Sequence, residues 1–250
     1  MGGRAAVLTA KDAQAFERCV AAGGVALFPA DTVYGLATDP ESREGVDRLY
    51  RLKGREPDRP AAVMFFDLEP ALAALPDLGA RTRGAVERLL PGALTLLLPN
   101  PARRFPLACG PEPERLGLRV PALSGALEPL AAVQRPVLQS SANRSGGADV
   151  RTLEEVDRAI RAGADLELDG GELPGTASTV VDLTRFEVAG DFEIVREGAV
   201  QASAVASALG TVGSLLSSAP TTSPSPSPRS IRRSPRCSRT SSRGKRRRSR

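Results

Sequence analysis

The chain has 250 residues, a formal net charge of +5 and no histidine. The lack of histidine excludes a Ser-His-Asp triad, a histidine general base and histidine-containing zinc sites, and three scattered cysteines form neither a zinc nor a disulfide framework. The charge is uneven: residues 211–250 hold eleven of the 34 basic residues and none of the 29 acidic ones, which leaves 23 basic against 29 acidic residues, a net charge of −6, over residues 1–210.

No apolar run reaches the roughly 18–20 residues that span a bilayer, and the N-terminal sequence MGGRAAVLTAKDA lacks the apolar segment of a signal peptide. We therefore expect no membrane partner. Unpaired cysteines are typical of a reducing compartment, and the sequence predicts a cytoplasmic location.

Apolar spacing predicts short strands that alternate with helices. Thr9 followed by Asp12 indicates a helix start, and Gly23-Gly24 indicates its end. A strand over 25–28 stops at Pro29, and a loop over 30–35 leads towards a helix that includes residues 46–50. Further strands are predicted at 61–66, 94–98, 116–120, 136–138, 179–183 and 192–195, and further helices around 86–90 and from 152 to 163.

This alternation predicts an α/β layer architecture for one domain over residues 1–208. Residues 209–250 form a basic tail rich in Ser, Pro and Arg, which cannot bury an apolar core and is predicted to be disordered. The tail could bind nucleic acid by neutralising phosphates, or it could be a dispensable or out-of-frame extension. The sequence leaves both readings open.

Three polar segments are candidates for chemistry. The first, residues 29–36, follows a strand end, where α/β proteins place ligand sites, and combines the carboxylate of Asp31, the hydroxyl of Thr32 and the phenol of Tyr34. A plain strand-to-helix turn with an Asp cap would explain the same residues.

The second segment, residues 52–60, places Lys53 and Arg55 two residues apart beside a glycine and a proline. Such a pair can hold a triphosphate, because Arg offers a planar fork and Lys a point charge. A solvated surface turn is the alternative interpretation.

The third segment, residues 139–147, contains Ser141, Asn143 and two glycines after an apolar strand. Small side chains let backbone N–H groups approach a phosphate closely. The glycine pattern matches neither the P-loop nor the dinucleotide fingerprint, so this segment alone is a weak signal.

Taken in order, these segments resemble the motifs of the YrdC-like threonylcarbamoyl-AMP synthases. The resemblance extends over roughly residues 5–200 and includes seven ordered motifs, at residues 28–36, 53–60, 91–95, 117–121, 141–146, 178–182 and 196–200. It implies a single YrdC-like domain, with a twisted mixed sheet flanked by helices and a positively charged concave face.

The resemblance also implies roles for individual residues. Lys53 and Arg55 would be the catalytic cations that hold the ATP phosphates, together with Ser141, Asn143 and Arg196. The remaining positions would bind substrate: Thr32 and Tyr34 in the first motif, Thr95 and Arg119 on paired strand positions, and Ser178 where the pocket closes. Arg119 would meet the threonine carboxylate or a nearby phosphate.

Two positions depart from the family pattern. Ala30 stands where the family usually has a threonine, and Met64 stands where many members have a histidine that contacts threonine. The sequence therefore indicates adenylate formation more strongly than strict selectivity for threonine.

The implied function is L-threonylcarbamoyladenylate synthesis, a nucleotidyltransferase reaction that uses L-threonine, bicarbonate and ATP, with magnesium on the pyrophosphate oxygens and no protein metal site. The product would pass to a threonylcarbamoyl transferase complex for tRNA modification, with a possible direct contact to tRNA. One alternative is a non-catalytic module of the same fold that binds double-stranded RNA or tRNA. Another is a carbamoyl-transfer domain of the hydrogenase-maturation type, which normally carries zinc-finger and acylphosphatase modules.

Overall fold

The computed structural model describes residues 7–57 and 59–210. Within these residues, nine strands form one sheet, accompanied by eight α-helices and one 3-10 helix. The strands are β1 (Ala26–Pro29), β2 (Tyr34–Thr38), β3 (Ala62–Met64), β4 (Leu94–Pro99), β5 (Arg115–Arg119), β6 (Val137–Ser141), β7 (Leu166–Glu167), β8 (Thr179–Asp182) and β9 (Glu193–Arg196). The helices are α1 (Ala10–Ala21), α2 (Arg43–Lys53), α3 (Leu68–Ala74), α4 (Ala80–Leu89), α5 (Pro106–Cys109), α6 (Arg158–Gly163), α7 (Phe186–Ala189) and α8 (Ala202–Leu209), and the 3-10 helix covers Gly125–Ala132.

The sheet is mixed, with the strand order β7-β1-β2-β6-β3-β5-β4-β8-β9. Strands β1 and β7, β3 and β5, and β4 and β8 pair in parallel, and the remaining neighbours are antiparallel. The predicted α/β class, a mixed sheet flanked by helices, is therefore confirmed.

The two faces of the central strands have different characters because side chains alternate along a strand. One face is fully buried and apolar, and its residues include Val63, Leu96, Leu118, Leu138 and Val181. The residues between them point to the opposite face, where polar and small side chains predominate. This second face provides the floor of the candidate site.

An aromatic cluster anchors the apolar layer. The ring of Phe16 on α1 lies 4.9 Å from the ring of Phe28 on β1 and 5.6 Å from that of Phe66, measured between centroids. All three side chains are buried. The cluster fixes α1 against the sheet beside the first functional segment.

The predicted start of α1 is confirmed. The Thr9 hydroxyl accepts a hydrogen bond from the Asp12 backbone N–H, and the Asp12 carboxylate accepts one from the Thr9 backbone N–H at 2.8 Å. This reciprocal capping box satisfies N–H groups that the helix itself leaves unpaired.

The predicted connection after Pro29 is wrong in one respect. Residues 30–33 form a short turn, and the chain then returns as β2, antiparallel to β1, before α2 begins. All five residues of β2 are buried, so the strand lacks the alternation of polar and apolar residues that would have predicted it.

The helix predicted from residue 152 begins later. Glu155 accepts a hydrogen bond from the backbone N–H of Arg151 at 2.8 Å, which closes a turn, and the carboxylate of Asp157 caps α6 by accepting from the N–H of Ala159 at 2.7 Å. Ile160 is fully buried, as the sequence predicted.

Strand β7, helices α3, α5, α7 and α8, and the 3-10 helix were not predicted. Leu209, which the predicted boundary assigns to the tail, is the last residue of α8 and is buried. Residues 211–250 lie outside the described residues, so the disorder of the tail stays a prediction. In residues 7–57 and 59–210, no helix combines the length and apolar character needed to cross a membrane.

Replacing Phe16 with alanine is expected to lower the free energy of unfolding by about 3–5 kcal/mol, because the ring leaves a cavity in a fully buried cluster. Denaturant unfolding followed by circular dichroism measures the change. Val188→Ala is the control, since Val188 is 92% exposed and its loss should change stability by no more than about 0.5 kcal/mol. Equal effects of the two substitutions would contradict the packing described.

Candidate active site

A cavity of about 170 Å³ opens on the polar face of the central strands. Pockets that enclose a whole drug-sized ligand usually measure roughly 300–1,000 Å³, so this cavity can enclose only part of a larger ligand. Its lining residues are Val33, Arg55, Pro60, Ala61, Ala62, Thr95, Arg119, Gln139, Ser140, Ser141, Asp149, Ala177, Ser178, Val180 and Arg196.

The register of the sheet explains why these distant residues meet. Paired residues on neighbouring strands point to the same face, and Ala62 pairs with Gln139 while Val180 pairs with both Thr95 and Arg196. Strand β5 adds Arg119, whose neighbour Leu118 pairs with Leu96.

A buried ion pair forms one corner of the cavity. The Arg119 guanidinium donates to the Asp31 carboxylate at 2.6 Å and to the Thr32 hydroxyl at 3.3 Å, and each side chain of the Arg119–Asp31 pair is only 4% exposed. A second guanidinium nitrogen of Arg119 donates to the Gln139 amide oxygen at 3.3 Å. Asp31 also accepts from the backbone N–H of Ala122 at 3.3 Å. These contacts hold the turn after β1 against β5.

Burial dominates the electrostatics of this corner. Desolvation raises the pKa of Asp31 even though the Arg119 charge acts to lower it. Desolvation also lowers the pKa of Arg119, against the opposing effect of Asp31. The 2.6 Å distance between their atoms is that of a charged hydrogen bond, and the two groups form an ion pair.

A second corner combines two hydroxyls with a cation. The hydroxyl oxygens of Thr95 and Ser178 lie 2.8 Å apart, and Arg196 donates to the Ser178 carbonyl oxygen at 2.7 Å. Thr95 and Ser178 are both buried. Arg196 is exposed at the rim of the cavity, and its charge lies close to the hydroxyl groups of Thr95 and Ser178.

Arg55 lies at the third corner. One terminal nitrogen donates to the Ser140 hydroxyl at 3.1 Å, another donates to the Pro60 carbonyl, and the guanidinium lies 5.6 Å from the centre of the Tyr50 ring. Its Nε is buried and has no hydrogen-bond partner among the described residues. Burial lowers the pKa of Arg55. The alternative interpretation of this segment, a solvated surface turn, does not fit this partly buried side chain.

Lys53 has a different position from its neighbour. Its ammonium is buried and donates to the backbone carbonyls of Ser141 and Asn143, the latter at 2.7 Å, and to the Asn143 side-chain oxygen at 3.1 Å. The Lys53 carbonyl in turn accepts from the Ser145 N–H at 2.9 Å. Burial lowers the pKa of Lys53 to about 8, with Arg55 adding to the effect and Asp149 opposing it. Lys53 thus holds the loop after β6 and does not line the cavity.

Tyr34 is also buried away from the cavity. Its hydroxyl donates towards the Gly171 carbonyl at 2.9 Å and the Asp169 carboxylate at 3.1 Å, and accepts from the Gly170 N–H at 3.1 Å. Burial is the main cause that raises the pKa of this phenol. The contacts join β2 to the chain after β7, which is a structural function.

The predicted site residues therefore divide into two groups. The structure places one group on the cavity lining, namely Arg55, Thr95, Arg119, Ser141, Ser178 and Arg196. The other group supports the cavity from behind, namely Thr32, Tyr34, Lys53 and Asn143. The two departures from the family pattern, Ala30 and Met64, are fully buried and do not line the cavity.

Sequence reasoning missed three polar lining residues, namely Gln139, Ser140 and Asp149. Gln139 and Ser140 lie inside the third polar segment, but only the register of β6 shows that Gln139 points into the cavity. Asp149 follows that segment in a loop, where no periodic pattern indicates the direction of a side chain.

Comparison with known proteins finds relatives over most of the chain. The Sua5/YciO/YrdC family model, described as "Telomere recombination", matches residues 18–198. A putative threonylcarbamoyl-AMP synthase of Mycobacterium leprae is 33% identical over 195 residues, which are 76% of this chain and 84% of that protein. A threonylcarbamoyl-AMP synthase of Pyrococcus abyssi is 27% identical over 191 residues, which are 76% of this chain and 55% of that protein. This chain thus spans about half the length of the archaeal relative.

A solved structure of P. abyssi Sua5 complexed with L-threonine matches this chain with a TM-score of 0.71 and 24% identity, over 82% of this chain and 59% of that one. At this identity the likeness shows the fold alone. The family model, in contrast, covers most of the described sequence and includes every corner of the cavity. The chain belongs to the Sua5/YciO/YrdC family.

Proposed function

We propose that this chain is an L-threonylcarbamoyladenylate synthase, which converts L-threonine, bicarbonate and ATP to threonylcarbamoyl-AMP and pyrophosphate. The observation that supports it is one cavity lined by Arg55, Arg119 and Arg196, with hydroxyl groups between the cations. Three guanidinium groups suit substrates that carry phosphates and carboxylates. Family relatives named threonylcarbamoyl-AMP synthase support the choice of reaction.

The chemistry requires little acid–base catalysis. The threonine amine attacks the carbon of bicarbonate, and loss of water gives an N-carboxy compound. An oxygen of this new carboxylate then attacks the α-phosphorus of ATP, and the bond to the pyrophosphate oxygen breaks. The attacking oxygen is already anionic, so the lack of histidine in the chain is no obstacle.

The main task of the protein is alignment and charge neutralisation. Arg55 and Arg196 both line the cavity and would neutralise the phosphates. Ser140 accepts a hydrogen bond from Arg55 and would donate its own hydrogen to a phosphate oxygen, whereas the Ser141 hydroxyl already donates to the Asn143 side-chain oxygen at 2.6 Å. Lys53 would act by keeping the loop with Ser141 and Asn143 in place.

Magnesium belongs to the proposal as a partner of the nucleotide. Within residues 7–57 and 59–210, no three His, Cys, Asp or Glu side chains cluster as a metal site. Magnesium usually binds one or two carboxylates together with substrate phosphates, and Asp149 on the cavity lining is the residue that would hold it. The ion would supply positive charge next to the pyrophosphate oxygens.

The cellular part of the proposal depends on the family names alone. A threonylcarbamoyl transferase complex would consume the unstable adenylate to modify tRNA. Direct contact with tRNA and a cytoplasmic location stay predictions, and the contacts described do not specifically favour the RNA-binding alternative.

The central experiment incubates the protein with ATP, bicarbonate and either threonine, serine or glycine, and identifies the adenylates by mass spectrometry. We expect pyrophosphate release and a threonylcarbamoyl-AMP product that depends on bicarbonate. Product only with another amino acid would refute the choice of threonine, and no adenylate with any of them would refute the function.

Replacing Arg55 with alanine should lower kcat for pyrophosphate release by about 10²–10³, the usual effect of losing one preorganised charge-stabilising donor. Arg51→Ala is the matched control four residues earlier, on α2, because Arg51 is exposed and its loss should leave the rate within about twofold. Similar rates for the Arg55 variant and the unchanged protein would show that Arg55 does not contact the phosphates.

The rate should also fall as pH rises through about 8, the pKa to which burial lowers Lys53. Above this pH the neutral amine has too few hydrogens for its three acceptor atoms, and the loop after β6 loses its charged anchor. The free energy of unfolding should change in the opposite direction. The unfolded lysine, with a pKa of 10.5, still binds its proton when the folded one has lost it, so stability rises between about pH 8 and 10.5.

Pyrophosphate release and denaturant unfolding measured between pH 7 and 10 test this divergence. Lys53→Met is the control, because it removes the lysine amine and leaves the substrate amine unchanged. Its rate should be low and should no longer fall near pH 8, and any pH dependence that remains would come from the substrate amine. A rate that falls in step with stability would instead indicate general unfolding.

A further inference from the structure

Gln139 is the one amide side chain on the cavity lining in the described part of the chain, and neither the family motifs nor the proposed mechanism gives it a function. It lies on β6, pairs with Ala62 on β3 and Ala37 on β2, and is 5% exposed. A long polar side chain between two alanines has room to reach along the sheet towards Arg119.

The hydrogen bond from Arg119 fixes the orientation of the Gln139 amide. Arg119 donates a hydrogen bond from a terminal nitrogen to Gln139 at 3.3 Å, and a guanidinium has donors only. The atom that faces Arg119 must therefore be the amide oxygen, and the amide nitrogen takes the other position. That nitrogen makes no hydrogen bond with any residue in 7–57 or 59–210, and Gln139 lines the cavity, so its two N–H groups are free to bind a ligand there.

The backbone of β2 makes space for the same nitrogen. A Cβ atom on Gly35 would lie 2.7 Å from the Gln139 amide nitrogen, closer than side chains tolerate. The glycine in the first functional segment thus permits the Gln139 side chain to adopt this position. The Arg119 terminal nitrogen that donates to Gln139 carries a second hydrogen, which can donate to a ligand.

We propose that Gln139 is a substrate-binding residue that determines specificity: its amide nitrogen donates to the α-carboxylate of the amino-acid substrate, which Arg119 binds at the same time. The two side chains then form a paired donor site in which each orients the other. This inference rests on the proposed function, because it assigns a residue to the amino acid of that reaction.

Gln139→Glu tests the donor separately from any support for Arg119. The glutamate oxygen still accepts from Arg119, but the donor is lost and a negative charge faces the ligand. We therefore expect the variant to disfavour L-threonine and to tolerate L-threoninamide, whose neutral carboxamide can donate to Glu. The ratio of the Kd for threoninamide to the Kd for threonine should fall at least tenfold, as measured by isothermal titration calorimetry.

Two further variants check the geometry. Gln139→Met removes donor and acceptor without adding charge, and should weaken threonine binding by about tenfold to a hundredfold. Gly35→Ala leaves Gln139 in place but displaces its nitrogen, and should weaken threonine binding in the same direction. Gln14→Glu makes the same chemical change on an exposed position of α1 and should leave both Kd values unchanged.

An unchanged ratio in Gln139→Glu, in a protein whose thermal unfolding matches that of the original chain, would overturn the inference. If the original chain still forms threonylcarbamoyl-AMP in that case, only the assignment of Gln139 fails. If the original chain neither binds threonine nor forms the adenylate, the proposed function fails, and the assignment of Gln139 fails with it.

Discussion

The ion pair between Arg119 and Asp31 is the interaction on which the candidate site depends most. It joins the turn after β1 to the end of β5, two segments that are 88 residues apart in the sequence. Both side chains are almost completely shielded from water, and leaving either charge alone in such a place typically costs about 3–5 kcal/mol. The pair therefore fixes the turn, and with it the position of Thr32 against Arg119.

The same pair also limits what Arg119 can do for a substrate. Asp31 already balances the charge of Arg119. A bound carboxylate would therefore gain directional hydrogen bonds from Arg119 but little net electrostatic attraction. The phosphates need the opposite, uncompensated charge. Under the proposed function Arg55 and Arg196 would supply it, since both line the cavity and neither has an ion-pair partner among the described residues. The cavity thus has one corner suited to orientation and two suited to neutralisation.

A second layer of residues keeps the lining in place. Lys53 donates to two backbone carbonyls and one side-chain oxygen of the loop after β6, and Tyr34 joins β2 to residues 169–171. Lys53 and Tyr34 do not line the cavity, yet both hold segments that lead to it. A buried ammonium or phenol with several partners gives such a segment one conformation.

Much of this protein was determined by the sequence itself. The presence of seven of the nine described strands, the α1 capping box and the positions of the three polar segments are all local features, which depend on residues a few positions apart, and the sequence predicted them. The absence of histidine likewise excluded whole classes of catalysis. Strand β2 escaped prediction because all five of its residues are buried, which removes the periodic signal.

Which of the predicted site residues line the cavity depends on long-range contacts. Lys53 and Arg55 are two residues apart, yet one turns to carbonyls of a loop about ninety positions away and the other lines the cavity. Gln139 became part of the site because the register of β6 aligns it with Ala62 and because Gly35 leaves it room. Hydrogen-bond partners and sheet register are long-range properties, so no pattern in the neighbouring sequence could have shown which side chains enter the cavity and which support it.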